Sequence, residues 1–186
     1  MAENDATTRV STTAEQVSQW IEQCVIDLSL CPFAGAPYRA GRVCIVVCES
    51  RSEVDFLAQI ESELISLADR PDLAETTLIV AQKALPDFLD FNDFLADVEE
   101  LLRVDDRHLD FQMASFHPQY RFAGVDADDT GNYTNRSPFP VVQWLQADSV
   151  AKAAAGTDTL AIPDANIAKL KAMGSAACSK RFPWVK

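Results

Sequence analysis

Short apolar, β-branched runs alternate with longer stretches of helical period, and this alternation constrains the fold most. Residues 42–49 (RVCIVVCE) and 76–81 (TTLIVA) are nearly all apolar or β-branched. Each reads as a strand buried on both faces, because a half-exposed strand would alternate apolar with polar residues. Residues 109–116 (LDFQMASF) alternate enough to form a third strand. Between and before these runs the spacing changes to three and four. Val17, Trp20, Ile21, Cys24, Val25 and Leu28 make one apolar stripe, opened by a capping box of Thr12 and Glu15 and stopped near Leu30 by Pro32. Val54, Leu57, Ile60, Leu64 and Leu67 mark a helix over residues 52–70. Phe88, Phe91, Phe94, Leu95, Val98, Leu101 and Leu102 mark another after Pro86-Asp87. The order predicts an α/β (or α+β) fold: a helix, then a βαβαβ-like core of about three strands with helices packed on the sheet.

After Phe116 the period disappears. Residues 117–140 are rich in Asp, Asn, Pro, Gly and aromatic residues, and form a long polar loop. A structureless stretch of this length inside a compact domain is uncommon and is often functional. Pro140 can open a helix carrying Val141, Val142, Leu145 and Val150. A final short helix follows Pro163-Asp164 (Ile167, Leu170, Met173) and closes at Gly174. The chain divides into a flexible arm over residues 1–12 and a single α/β domain over residues 13–186. A length of 186 residues fits one domain at roughly 150 residues each.

The charge balance, 16 basic against 28 acidic residues or −12, argues against a sequence-independent nucleic-acid binder and an anionic membrane surface. No apolar run is long enough to cross a membrane. The polar N-terminal segment has no apolar core of the secretory type. Five cysteines, an odd number without a secretory leader, suggest reduced thiols and a cytoplasmic setting.

An ordered series of motifs carries a family resemblance. It runs through Cys31-Pro-Phe-Ala34, Glu75-Thr-Thr-Leu78, Asp87-Phe88 and Asn92-Asp-Phe-Leu95. Ala114-Ser-Phe-His-Pro-Gln-Tyr-Arg-Phe122, Asp128-Asp129, Asn132-Tyr-Thr-Asn-Arg-Ser-Pro-Phe-Pro140 and Ile162-Pro-Asp-Ala-Asn166 complete it. From about residue 13 to 174 the chain resembles the bacterial family known as domain of unknown function 1415. The resemblance identifies the chain without implying an activity. One departure stands out. The family continues after its Ser-Pro-aromatic-Pro segment with a His, two Leu, an Arg and a Glu, where this chain has Gln143, Trp144, Leu145, Gln146 and Ala147.

The polar loop holds the candidate chemistry. His117 follows a strand end, a usual place for catalytic groups in α/β sheets, and is the expected general acid or base. Asp129 is expected to orient it or to ligate. Cys31 is an optional nucleophile, although a position just past a helix C-terminus raises a thiol pKa. Arg136 offers a planar fork for carboxylate or phosphate, with Asn132, Asn135 and Ser137 as oriented polar partners in substrate binding. The plainer alternative pairs Arg136 with Asp128 or Asp129 to pin the loop. A loose oxygen-and-imidazole cation site from His117, Asp128 and Asp129 is the weaker alternative, and no metal is assigned. These residues suggest an enzyme acting on a small anionic metabolite, or a non-catalytic ligand-binding or interaction module of the same fold. Whether the chain is an enzyme, its cofactor and its oligomeric state stay open.

Overall fold

A computed structural model describes residues 12–185; the N-terminal arm expected over residues 1–12 therefore lies, except for Thr12, outside the described residues. Helix α1 spans Thr13–Trp20. The predicted capping box closes its start: Thr12 Oγ1 accepts from the Glu15 N–H, and Glu15 accepts from the Thr12 N–H at 2.7 Å. The predicted stripe continues beyond α1, but Ile21–Ile26 winds as a π-helix. The chain turns at Ser29, whose φ is 50°, and a short helix α2 (Gly35–Arg39) follows.

Strand β1 (Val43–Cys48), helix α3 (Glu53–Asp69), strand β2 (Thr76–Ala81) and helix α4 (Phe88–Arg103) lie where the periodicity puts them. Ser52 and Asp87 cap the two helices through their side-chain oxygens. Strand β3 (Phe111–Phe116) comes next. Strand β4 (Val141–Gln146) then occupies the segment predicted to open a helix at Pro140, and helix α5 (Ala147–Ala154) begins only after it. The residues show why. Val142 and Trp144 point into one layer while Val141 points into the other, so the period is two. A six-residue run this apolar also fits a helix by count. Helix α6 (Ile162–Arg181) breaks at Gly174, the predicted helix end, and a second helical segment follows to Arg181. Gly174 takes φ 75° and ψ 162°, so the chain kinks there.

The sheet is four-stranded, in the order β1-β2-β4-β3. Strands β1 and β2 are parallel, and β4 runs antiparallel to both of its neighbours. Strands β2 and β3 therefore point the same way, and the segments that follow them emerge at one end of the sheet. The central position of β2 explains its burial on both faces. The same expectation for β1 does not hold, because β1 is an edge strand and only Cys48 in it is buried.

Helices cover both faces. Phe56, Ile60 and Leu64 of α3 with Phe91, Phe94 and Val98 of α4 pack on Ile79, Val142 and Trp144. The Trp144 indole N–H donates to the Ile60 carbonyl at 3.0 Å, which satisfies the one polar atom of that ring. On the other face Val17, Trp20 and Cys24, joined by Leu170 and Cys178 of α6 and by Phe182 just after it, pack on Leu78, Val80 and Val141. Among the described residues no helix is long and apolar enough to cross a membrane.

Candidate functional site

The polar loop after β3 is ordered by its own side chains. Asn132 is fully buried. Its Oδ1 accepts from the Phe122 N–H at 3.1 Å, and its Nδ2 donates to the carbonyls of Asp126 at 2.8 Å and Ala127 at 3.3 Å. One amide thus closes the turn over residues 122–132. Asp129 caps the 3-10 turn Thr130–Asn135 by accepting from the Gly131 N–H at 2.7 Å. Its other oxygen meets Lys171 of α6 at 3.0 Å. The Gly131 N–H first, and then Lys171, hold the Asp129 carboxyl below the usual carboxylate pKa. Ser137, also buried, donates to the Phe139 carbonyl at 2.5 Å.

His117 sits at the root of the loop with no exposed surface. Its Nδ1 accepts from the Gln119 N–H at 3.0 Å, so Nε2 carries the proton and donates to the Leu85 carbonyl at 3.1 Å. The rings of Phe88 and Phe91 lie 5.5 and 5.2 Å from the imidazole. Burial holds its pKa below the usual value, against a smaller opposing effect of the Leu85 carbonyl. Both ring nitrogens are engaged by main chain, and the imidazole ties the loop to the turn between β2 and α4. In this arrangement it directs neither a lone pair nor a proton at a cleft. Among the described residues no three His, Cys, Asp or Glu side chains group as metal ligands, and His117, Asp128 and Asp129 do not assemble into one.

Arg136 is placed differently. Its side chain is only 8% exposed, and its guanidinium lies 4.6 Å over the ring of Tyr133. Nε donates to the Tyr120 carbonyl at 3.3 Å and Nη2 to the Ala127 carbonyl at 2.7 Å. The alternative of an ion pair with Asp128 or Asp129 is not what forms: Asp129 pairs with Lys171 instead. Among the described residues no carboxylate lies within ion-pair distance of Arg136, and Nη1 has no hydrogen-bond partner. Arg136 lines a polar cleft of about 670 Å³. The segments that follow β2 and β3 build it, with Asp87, Gln119, Arg121 and Asp128, and α6 closes one side with Ser175 and Ser179.

The other predicted site residues lie elsewhere. Cys31 and Asn135 line a separate apolar groove of about 360 Å³ against the sheet. Burial pushes the Cys31 thiol up, even though the N–H groups of Phe33 and Ala34 act in the opposite sense. Asn135 donates to the Ser115 carbonyl at 3.1 Å. Cys31, His117 and Arg136 therefore do not share one cleft. Sequence reasoning missed Arg121, Gln119 and the two α6 serines. Arg121 was recognisable as a second arginine of the polar loop; the serines became neighbours only through the docking of α6.

A family described as protein of unknown function (DUF1415) matches the chain over residues 12–180. No curated protein and no solved structure gives a significant match.

Proposed function

The chain belongs to the family described as protein of unknown function (DUF1415), and from its geometry we propose that it is a binding protein for a small anionic molecule seated against Arg136. The buried guanidinium carries the proposal. Nε and Nη2 are held by carbonyls in a nearly buried setting, while Nη1 faces the cleft, where it can meet a ligand. With no carboxylate at ion-pair distance among the described residues, an anion at Nη1 supplies a direct counter-charge and a charge-assisted hydrogen bond. Arg121 adds a second positive group to the same cleft. Asp87 and Asp128 also line it and, with the net charge of −12, oppose a large polyanion. The ligand is accordingly a small metabolite-sized anion.

The engaged state of His117 favours binding over acid–base catalysis. The enzyme version keeps one observation in its favour. Asp128 lines the cleft and its carboxylate receives no hydrogen bond among the described residues. In that version Asp128 is the proton-transferring group, while His117 and Asp129 hold the loop. A cytoplasmic setting belongs to the same reading, supported by five unpaired cysteines that suit a reducing compartment.

Calorimetric titration of the full chain with inorganic phosphate, succinate and citrate tests the proposal. Arg136→Gln is expected to weaken the anion that binds by roughly 10- to 100-fold, the worth of one hydrogen bond to a charged group. Arg121→Gln, at an exposed position with no hydrogen bond or ion pair among the described residues, is expected to weaken it less with the melting temperature unchanged. Equal affinities in all three proteins, or no binding of any of the three anions, would overturn the reading.

A further inference from the structure

We infer that the groove on the α1 side of the sheet is a second binding site, shaped for a small, largely apolar, uncharged molecule that carries an N–H or O–H donor. The groove has a volume of about 360 Å³, within the usual range for small-molecule sites. Its floor is sheet, including Leu78, Ala114 and Leu145; its walls include Trp20, Val25 and Phe33. Val25 belongs to the π-helical turn Ile21–Ile26, a distortion that frequently accompanies functional sites.

A glutamine lies in this apolar floor. Gln143 is on the central strand β4, flanked in one cross-strand row by Leu78 and Ala114. Its amide orientation follows from its neighbour. The Thr76 hydroxyl spends its single proton on the Trp144 carbonyl at 2.7 Å, so the Thr76 oxygen is an acceptor towards Gln143 Nε2 at 2.8 Å. The Gln143 Oε1 is thereby turned away from Thr76. It has no partner among the described residues, yet it is not sealed from the surface. A ligand N–H or O–H donor answers Gln143 Oε1. Thr134 also lines the groove, but its Oγ1 is sealed from solvent and has no partner among the described residues.

Charge narrows the class. Among the described residues no Lys, Arg or His lines the groove, and the carboxylate that does, Glu75, is paired with Arg42 at 3.3 Å. An anion would leave water for a site without a cation and beside a carboxylate. The occupant is therefore uncharged, in contrast to the occupant of the Arg136 cleft. The two sites share no lining residue. The 3-10 turn Thr130–Asn135 separates them: Thr134 and Asn135 line the groove, while Tyr133 and the following Arg136 line the cleft. The inference does not rest on the anion reading and survives its failure.

The test uses three probes with one ring system: indole, 1-methylindole and indole-3-carboxylate, each titrated into the full chain by two-dimensional NMR. Indole is expected to bind saturably and about fivefold tighter than 1-methylindole, the effect of one neutral hydrogen bond. Indole-3-carboxylate is expected to bind more weakly than indole. Gln143→Leu should abolish the difference between indole and 1-methylindole, and Ala114→Phe should abolish binding of both. Intermolecular nuclear Overhauser effects to the Leu78 and Leu145 methyls locate indole in the unaltered protein, so the result stands even where a variant fails to fold. Equal affinity for all three probes, no saturable binding, or effects confined to residues outside the groove overturns the inference.

Discussion

Replacing His117 with Phe keeps an aromatic ring against Phe88 and Phe91 and removes both imidazole nitrogens. Two main-chain groups then lose their partners. The Leu85 carbonyl belongs to a buried residue, only 3% exposed, and bears the full cost of an unmade hydrogen bond, about 1–3 kcal/mol. The Gln119 N–H belongs to an exposed residue and regains water at little cost. The variant should therefore lose about 2 kcal/mol near neutral pH, with little offset from the extra apolar ring. The pH dependence separates this account from simple repacking. Burial lowers the imidazole pKa in the folded state, so its neutral form is favoured there. The stability it contributes is complete above the unfolded value of about 6.5. It is lost as pH falls towards the folded value, by at most about 1.4 kcal/mol per pH unit, because only the unfolded chain gains the proton. Urea unfolding followed by tryptophan fluorescence at about pH 7.5 and about pH 5.5 reads both effects. The gap between wild type and variant should narrow at the lower pH. A variant as stable as wild type at the higher pH, or a gap that stays constant between the two, would refute the reasoning.

Asn132→Ala strips three main-chain groups of their partner and should cost about 2–4 kcal/mol, with proteolytic cleavage appearing between residues 122 and 132. Gly131→Ala places a Cβ 3.0 Å from Asp129 Oδ1 and 3.2 Å from Ile167 Cγ2. It should loosen the loop from α6, lowering the melting temperature with a loss of roughly 1–2 kcal/mol. Cys31 should alkylate with iodoacetamide more slowly than free cysteine at neutral pH, because burial keeps it a thiol. A faster rate, measured by mass spectrometry, would restore it as a nucleophile.

Helices and strands proved legible where the period was long or the run flanked by clear stops: α1, α3, α4, β1, β2 and β3 all lie close to their expected places. The misreading at Val141–Gln146 has a physical source. Val141, Val142 and Leu145 satisfy helical spacing by chance, and the strands that flank β4 in space are not both its neighbours in sequence. Nothing in RVCIVVCE distinguishes an edge strand from a central one, since both are apolar. In the site, Arg136 was recognisable as a cation in an acidic loop. What it touches was not, because its partners are main-chain carbonyls, which carry no signature in a sequence. The engagement of His117 was hidden for the same reason: its acceptor is a carbonyl 32 residues away. The separation of Asn135 from Arg136 follows from the tight turn preceding them, which sends adjacent residues to different cavities.

Arg136 is a nearly buried cation with no carboxylate at ion-pair distance among the described residues, and the proposal seats an anion against it. A crystal structure of the full chain grown with succinate tests that proposal most directly. A succinate carboxylate is expected in the cleft, within hydrogen-bond distance of Arg136 Nη1, with Nε and Nη2 still on the Tyr120 and Ala127 carbonyls. A cleft that holds no anion, with the Asp128 carboxylate folded onto the guanidinium, would contradict it.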